Sequence, residues 1–176
     1  MADQIDDKCF HGPDVAGRAL RAGDVVPLEP IAGGREGVET QAPQVTEGPI
    51  RFVWGLHADL FVSARRQQFL AARFGVSGKL DRMGVRLDDP ERVFGGARIL
   101  SLVSDAIVVG DIQILGDGTP IVLMRDHQPT GGYPRIGTII SADFDRFAQM
   151  RVGTEVRFAP VTARKAQELL MAGRAS

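Results

Sequence analysis

The sequence predicts a mainly β protein, a closed or nearly closed β-barrel with a few short peripheral helices. Short runs rich in β-branched residues recur along the chain, and 21 glycines and 10 prolines separate them without clustering. The runs do not alternate with long helices, so a doubly wound parallel sheet is not expected. Closure of the sheet is favoured because it removes exposed strand edges.

Composition and charge exclude several classes of protein. The 176 residues are 44% hydrophobic and 24% charged, as in a globular protein with one core. The net charge is −1, and no basic run is interleaved with aromatic residues, so we expect no nucleic-acid partner. The most apolar stretch, 99–110, is too short to span a membrane and contains Asp105. The acidic N-terminus does not have the form of a signal peptide, and Cys9 is the single cysteine, which together predict a cytoplasmic protein.

The elements follow from hydrophobic periodicity and turn residues. A long polar stretch, 29–49, predicts a linker and a domain boundary near residue 48, preceded by a disordered leader at 1–9 and a short strand at 25–28. Further strands are predicted at 50–54, 84–87, 98–100, 105–115, 119–126, 135–141 and 154–161. Helices are predicted within 58–74, at 142–150 and at 162–173, the last with Thr162 as N-cap and Gly173 as its end. The Gly-Asp-Gly at 116–118 predicts a hairpin between two of the strands.

Motifs that hold phosphate groups, metals or nucleophiles are absent from the sequence. There is no GxxxxGK[ST], GxGxxG, HExxH, CxxC or GxSxG. The Gly-rich segment 33–37 leads into no predicted helix, and no two of the three histidines, His11, His57 and His127, have the spacing of metal ligands. The chain by itself is therefore predicted to bind no metal and no cofactor.

A candidate site surrounds the segment RDHQPTGGYPR, residues 125–135. The glycines there allow a ligand or a neighbouring strand to come close, and the following proline favours extended backbone at the tyrosine. Polar side chains that could gather there are Gln113, Asp126, Tyr133 and Arg135, beside Gly131 and Gly132. Gln113 stands between two isoleucines of a strand and is expected to face solvent or a lumen. From these residues alone, a structural turn with satisfied polar groups is favoured over a ligand site.

Two other polar groups have competing interpretations. Asp81, Arg82 and Arg86 could hold an anionic group, but a charged turn with structural ion pairs is favoured. His57 and Asp59 could serve acid–base chemistry, but a helix capped by Asp59 with an exposed His57 is favoured.

Three separated blocks carry a resemblance to a known family. They are DRMGVRL (81–87), GDIQILGDGTPIVLMRDHQPTGGYPRIGTIISADF (110–144) and AQMRVGTEVRF (148–158). Their order and spacing resemble the biotin-dependent carboxyltransferase-domain proteins, also called allophanate hydrolase subunit 2, which include the C subunit of 5-oxoprolinase. The similarity covers about residues 10–176 and corresponds to the second half of the usual family chain.

The resemblance implies a fold and a domain arrangement. The expected fold is a cyclophilin-like β-barrel at 49–176, with 10–48 as a remnant of the N-terminal subdomain plus a linker. It implies work in a heteromeric complex with a subunit 1 family protein and, in some complexes, a LamB/YcsF-type subunit. Without the N-terminal half, the chain is expected to self-associate or to need a second polypeptide.

The resemblance also implies a chemistry. Family complexes open the cyclic amide of 5-oxoproline with ATP, or move a carboxyl group from biotin to urea, so ATP and, in some members, biotin are used by the complex. Such reactions need donors aimed at developing oxyanion charge. Asp126 and Tyr133 then become candidate catalytic residues, and Gln113, Gly131, Gly132, Arg135 and Arg82 candidate substrate-binding residues. Two alternatives remain open, a regulatory protein that binds the sister subunit and antagonises a sensor-kinase inhibitor, and an inactive truncated product.

Overall fold

The computed structural model describes residue 25 and residues 47–95 and 102–174. The chain divides into two compact units, Met1–Pro43 and Gln44–Ser176, and the fold described here belongs to the second. Several predictions concern segments that lie outside the described residues: the leader at 1–9 with Cys9, His11, the strand at 25–28, the glycine-rich segment at 33–37 and the linker at 29–49. Of these segments, the structure describes only residues 25 and 47–49. The strand at 98–100 also lies outside the described residues. The predicted domain boundaries stay predictions.

The described residues form ten strands and three α-helices. The strands are β1 (Ile50–Trp54), β2 (Phe74–Leu80), β3 (Gly84–Asp88), β4 (Asp105–Ala106), β5 (Asp111–Ile114), β6 (Pro120–Leu123), β7 (Thr130–Gly131), β8 (Arg135–Ile139), β9 (Glu155–Val156) and β10 (Phe158–Pro160). The helices are α1 (Ser63–Ala71), α2 (Ser141–Ala148) and α3 (Ala163–Arg174), and a 3-10 turn occupies Ala58–Leu60.

Eight of these strands form one sheet whose two ends meet. The strand order is β10-β1-β8-β5-β6-β3-β2-β9. The two end strands, β9 and β10, are consecutive in the chain with only Arg157 between them, and the Arg157 carbonyl accepts a hydrogen bond from the Ile50 N–H at 2.7 Å. The chain thus passes directly from one edge of the sheet to the other, which brings the edges together as a barrel. The predicted mainly β barrel with short helices is confirmed.

The barrel interior is filled by apolar side chains from the strands of the eight-stranded sheet. On β1, Ile50 and Phe52 are buried, and their partners in the core include Phe69 of α1, Phe74 of β2 and Phe158 of β10. Phe69 stacks on Phe158 with ring centroids 5.1 Å apart, and Phe52 meets Phe69 edge-to-face at 5.6 Å. Such aromatic contacts add to the stabilisation from burial.

Most predicted elements correspond to observed ones, with three corrections. The run at 154–161 is not one strand: it forms β9 and β10, which stand at opposite ends of the strand order. The apolar run at 105–115 is not one strand: it forms β4 and β5, separated by a turn in which Gly110 has a φ of +85°. β2 was not predicted, because its FGVSGKL sequence contains two glycines and a serine and resembles a turn. The Gly-Asp-Gly hairpin is confirmed between β5 and β6, and Thr162 caps α3 by accepting the Lys165 N–H at 3.2 Å.

The two short strands β4 and β7 pair with each other in a separate two-stranded sheet. We call residues 102–107 and 129–132 the β4–β7 ribbon. It is held at both ends, by Leu102 N–H to the Gly132 carbonyl at 2.7 Å and by Ile107 N–H to the Pro129 carbonyl at 3.2 Å. This ribbon lies over the outer face of β5 and β8, as the contacts of the next subsection show.

A buried carboxylate anchors α2 to the barrel. Asp143 is fully buried and accepts hydrogen bonds from the Arg51 N–H and side chain, while Arg146 lies 3.2 Å away. Burial would raise the pKa of Asp143, but the hydrogen bonds and charge of Arg51, with the charge of Arg146, outweigh it and lower the pKa. None of the described helices is both long and apolar enough to cross a membrane.

Candidate functional site

Strand β5 is buried on both of its faces, and one of those faces is polar. Ile112 and Ile114 belong to the hydrophobic core. Asp111 and Gln113 alternate with them and point to the opposite side, yet they are only 1% and 2% exposed. The prediction that Gln113 faces solvent or the lumen is therefore wrong, because the β4–β7 ribbon covers the outer face of the strand.

Arg135 joins this polar face to the ribbon. It stands opposite Gln113 on the neighbouring strand β8, and its side chain is 9% exposed. Nη2 pairs with the Asp105 carboxylate at 2.7 Å, and Nη1 donates to the Ala106 carbonyl at 2.8 Å. Nη1 also lies 3.5 Å from Asp111 Oδ2. One guanidinium thus links the ribbon to the sheet beneath it.

Asp111 is held in place by further donors. Its Oδ1 accepts a hydrogen bond from the Thr138 hydroxyl at 2.6 Å, and its Oδ2 accepts one from the Val108 N–H at 3.0 Å. A buried carboxylate needs such partners, since an unpaired charge in the interior is costly. Asp111 is therefore held in a fixed position, from which its carboxylate orients Arg135.

Gln113 contributes a buried donor without a partner. Its side-chain Nε2 is fully covered and makes no hydrogen bond. Gly131 of β7 lies directly above it, because a methyl group added at Gly131 would stand 2.9 Å from this nitrogen. Such an orphan donor is rare in folded proteins and marks a place where a polar ligand atom would be favourable.

The two glycines of the segment 125–135 allow close packing of the chain. Neither Gly131 nor Gly132 has a positive φ. A methyl group at Gly132 would stand 3.0 Å from the Leu102 carbonyl oxygen, within the same ribbon. Both positions need glycine because a neighbouring part of the chain packs closely against them, and not because the backbone turns sharply there. The following Tyr133 is 40% exposed, and its hydroxyl has no hydrogen-bond partner among the described residues.

His57 belongs to the same neighbourhood, which corrects the prediction of an exposed histidine. It is half-buried, and its Nδ1 accepts a hydrogen bond from the Arg135 backbone N–H at 3.2 Å. A neutral imidazole with this acceptor carries its proton on Nε2, which remains a donor. Asp59 is not a helix cap: it lies inside the 3-10 turn and pairs with Arg66 at 2.6 Å. We call Arg135, Asp105, Asp111, Gln113 and His57 the Arg135 cluster.

Asp126 and Arg82 form no hydrogen bond or ion pair with the side chains of the Arg135 cluster and instead pair with each other. The Asp126 carboxylate lies 2.7 Å from Arg82 Nε, and the Asp126 N–H donates to the Arg82 carbonyl at 2.9 Å. Both side chains are largely exposed. Asp81 caps the β2–β3 turn by accepting the N–H groups of Met83 and Gly84. The contacts of Asp81 and Arg82 thus form the charged turn that the sequence favoured at 81–86.

Three members of the network were not predicted from the sequence: Asp105, Asp111 and Thr138. Asp105 had only been noted as an interruption of an apolar run. Asp111 follows Gly110 directly, the position of an ordinary turn residue. A weak signal was present, since a charged residue in the first position of a strand otherwise buried on both faces needs a partner nearby.

Two kinds of polar group are found in the Arg135 cluster and at Tyr133, two residues before Arg135. Arg135 is neutralised by two carboxylates, whereas Gln113 Nε2, His57 Nε2 and the Tyr133 hydroxyl are donors without partners among the described residues. Donors stabilise an oxyanion only where they are aimed at one point. Within the described part of the chain, no three His, Cys, Asp or Glu side chains come together in a way that could hold a metal ion, and the predicted lack of a metal site stays a prediction.

Two of the known proteins similar to this chain are the same subunit from two bacteria. The C subunit of 5-oxoprolinase from Escherichia coli is 34% identical over 152 residues, which cover 85% of this chain and 48% of that protein. Its counterpart from Haemophilus influenzae is 31% identical over 157 residues, which cover 88% and 49%. The chain therefore spans about half the length of the curated relatives it matches. The crystal structure of Kluyveromyces lactis urea carboxylase shares the fold, with a TM-score of 0.65 and 24% identity over 73% of this chain and 12% of that one.

The family assignment follows from the sequence as a whole. The carboxyltransferase domain family, subdomains A and B, matches residues 10–160. This range includes β1 to β10 and the whole Arg135 cluster. The resemblance found in the three sequence blocks is confirmed, and the chain belongs to the carboxyltransferase domain family.

Proposed function

We propose that this chain is a subunit of a heteromeric enzyme that processes an amide with ATP, of the 5-oxoprolinase type or the urea carboxylase carboxyltransferase type. Two relatives over 30% identical are C subunits of 5-oxoprolinase and match more than four fifths of this chain. The name of these relatives implies a multi-subunit enzyme. The chain corresponds to about half the length of each.

The observation that carries this proposal is the orphan amide of Gln113 beneath the ribbon. A carbonyl oxygen of an amide substrate would satisfy Nε2 once the ribbon shifts at Gly131, which packs over this covered nitrogen. His57 Nε2 and the Tyr133 hydroxyl supply the other donors. These groups would stabilise the oxyanion that forms when a nucleophile adds to the amide carbonyl.

The charge balance of the cluster indicates which substrate it suits. Asp105 and Asp111 neutralise Arg135, so the cluster presents no excess positive charge. It does not fit a triphosphate or a biotin carboxylate, and it fits an uncharged amide. We therefore assign ATP, and biotin in the carboxyltransferase case, to a partner, namely a subunit 1 family protein and, for 5-oxoprolinase, a LamB/YcsF-type subunit.

The predicted catalytic role of Asp126 and the predicted binding role of Arg82 do not depend on the donors Gln113, His57 and Tyr133. Their exposed ion pair makes them available to substrate or partner. An Asp126→Asn variant tests this role. Loss of turnover with unchanged complex formation would support it, whereas full turnover would remove Asp126 from the reaction.

The test of the proposal is a reconstitution of the protein with the proposed partner subunits. Gln113→Met keeps the volume of the side chain and removes its donor, and we expect turnover to fall about 100-fold, as for the loss of one oxyanion donor. Arg125→Gln is the control, because Arg125 forms an exposed pair with Asp145 at 3.2 Å. Equal turnover of Gln113→Met and the control would contradict a catalytic use of the cluster.

A second candidate function is binding of the sister subunit without catalysis. Exposed apolar side chains flank the 3-10 turn beside His57, namely Leu56, Leu60 and Val62. A Leu60→Asp variant that abolishes complex formation, together with an unreactive wild-type complex, would favour this regulatory role. A reactive wild-type complex would favour the enzyme.

A further inference from the structure

A second polar site lies on the barrel away from the Arg135 cluster. It is a cleft of about 500 Å³ bounded by β2, β3, the 89–95 turns and the tip of the β5–β6 hairpin. We call it the bulge cleft. Its charged lining residues are Lys79, Arg86, Arg92, Asp88, Asp89 and Asp117. None of them belongs to the residues assigned above to the amide site.

An irregularity of the sheet creates this cleft. β2 and β3 pair at Val76 with Leu87 and again at Leu80 with Val85, so β2 contains two more residues than β3 between the pairs. The bulged segment is held by the Ser77 hydroxyl, which accepts the Lys79 N–H at 3.1 Å. Bulges of this kind redirect side chains and recur next to functional sites. Here the bulge places Lys79 in the lining of the cleft.

The opposite wall is built by two closely packed turns. A methyl group added at Gly118 would stand 2.6 Å from the Phe94 carbonyl oxygen, so the hairpin tip rests on the 92–95 backbone. Gly118 has a φ of +88°, and Arg92 has a φ of +51°, which is uncommon for a residue with a side chain. Arg92 Nε would lie 3.2 Å from a methyl group at Gly95, so this side chain folds back across the turn and lines the cleft.

The cations of the cleft are not held by direct side-chain contacts with other described residues. Most arginines among the described residues form an ion pair or a hydrogen bond to the chain, but the side chains of Lys79, Arg86 and Arg92 form none. Arg86 acts on Asp117 only through its charge, at a distance longer than an ion pair. Three cations that converge on one concave surface repel one another, and an anionic oxygen group would relieve this.

The carboxylates of the cleft form no ion pair among the described residues. Asp89 Oδ1 is buried without a hydrogen-bond partner, and Asp88 forms no ion pair among the described residues. Burial raises the pKa of Asp89 more than the nearby N–H groups of residues 92–94 lower it. Asp117 accepts hydrogen bonds from Thr119, which lower its pKa. The lining thus has three cations and three carboxylic groups, and its formal charge is balanced.

We propose that the bulge cleft binds a small zwitterion of the amino-acid type, with its carboxylate on the three cations and its ammonium on the carboxylates, which have no counter-cation among the described residues. A simple dianion would meet the three aspartates, and a simple dication would meet the three basic residues. A ligand with both charges satisfies both sets. The cleft is large enough to admit a molecule of this size together with its hydration water.

The test is an amide chemical-shift titration of the full-length, ¹⁵N-labelled chain. The probe is L-aspartate, and the comparison ligands are succinate, which lacks the ammonium, and 1,4-diaminobutane, which lacks the carboxylates. We expect saturable shifts from L-aspartate at residues 77–79, 86–89, 92–95 and 117–119. Each comparison ligand should bind about 10-fold more weakly, the scale of one charge-assisted hydrogen bond.

Two arginine variants form a matched pair for this titration. Arg86→Gln should weaken L-aspartate binding about 10-fold. Arg151→Gln should leave it unchanged, because Arg151 is exposed, equally unpaired among the described residues and outside the cleft. Lys79→Gln repeats the test if Arg86→Gln does not fold.

Three results would exclude a zwitterion site in the bulge cleft. The first is an absence of saturable shifts up to about 10 mM, where a site with a Kd near 1 mM would be nine-tenths full. The second is equal binding of succinate and L-aspartate. The third is equal weakening by Arg86→Gln and Arg151→Gln, which would show a general effect of surface charge.

Discussion

Replacement of Arg135 by glutamine would remove the charge that links the β4–β7 ribbon to the barrel. Arg135 donates to Asp105 and to the Ala106 carbonyl, and it faces Asp111 at 3.5 Å. Asp105 is half exposed and can turn to water. Asp111 is buried and would keep only Thr138 and the Val108 N–H as donors. The variant therefore leaves one buried carboxylate without a counter-charge.

The expected magnitude follows from this burial. Removal of one partner of a buried ion pair costs about 3–5 kcal/mol, because the remaining charge is uncompensated. A domain has about 5–15 kcal/mol of free energy of unfolding in total. At about 3–5 °C per kcal/mol for a unit of this size, the melting temperature should fall by roughly 10–20 °C.

The assay is urea denaturation followed by circular dichroism, combined with a double-mutant cycle. Asp111→Asn removes the buried charge, so Asp111→Asn/Arg135→Gln should be less destabilised than the sum of the two single variants by about 1–3 kcal/mol. Arg125→Gln is the control, since its exposed pair with Asp145 should contribute less than about 1 kcal/mol.

Two results would refute this reasoning. One is a loss of less than about 1 kcal/mol in Arg135→Gln, the range of surface pairs. The other is additivity of the Asp111 and Arg135 variants, which would show that the two groups do not interact. Additivity would mean that Asp111 is stabilised by its neutral donors alone. A small loss in Arg135→Gln would mean that the ribbon is not held to the sheet by charge.

Three further predictions concern single residues. Tyr133→Phe should lower turnover of the reconstituted complex about 100-fold with an unchanged melting temperature, because the hydroxyl has no partner to lose among the described residues; unchanged turnover would make Tyr133 structural. Gly131→Ala should lower the free energy of unfolding by about 1–3 kcal/mol, because the added methyl group would press on Gln113. Gly116→Ala should leave the free energy of unfolding unchanged, because Gly116 has open space around it. Equal effects in urea denaturation would refute the close approach of Gly131 to Gln113. The pKa of Asp143 is lower in the folded than in the unfolded chain, so its contribution to the free energy of unfolding is complete above the ordinary pKa of an aspartate and is lost as the pH falls through the folded pKa. Asp143→Asn should therefore be less stable at pH 7, and its stability should depend less on pH in the acid range. A pH profile parallel to that of the wild type would contradict this.

Local patterns were sufficient for much of the barrel. The alternation in Ile50–Trp54, the Gly-Asp-Gly hairpin and the Thr162 cap each depend on neighbours within a few residues, so the sequence predicts them directly. The same holds for Gln113 and Arg135 as candidate site residues, because polar side chains within apolar strands are visible in one dimension. Family membership was also available, since three blocks in the expected order are a property of the sequence.

The composition of the Arg135 cluster was decided by tertiary structure. His57 and Arg135 are 78 positions apart, and Asp105 is 30 positions from its arginine. Nothing local distinguishes Asp111 from a turn residue, and its burial arises only when the β4–β7 ribbon folds over the polar face of β5. The bulge cleft has the same origin, because unpaired cations become a site only when the β2 bulge and the hairpin tip enclose them. Periodicity shows which face of a strand is apolar, whereas long-range packing decides whether its polar face meets water or another part of the chain.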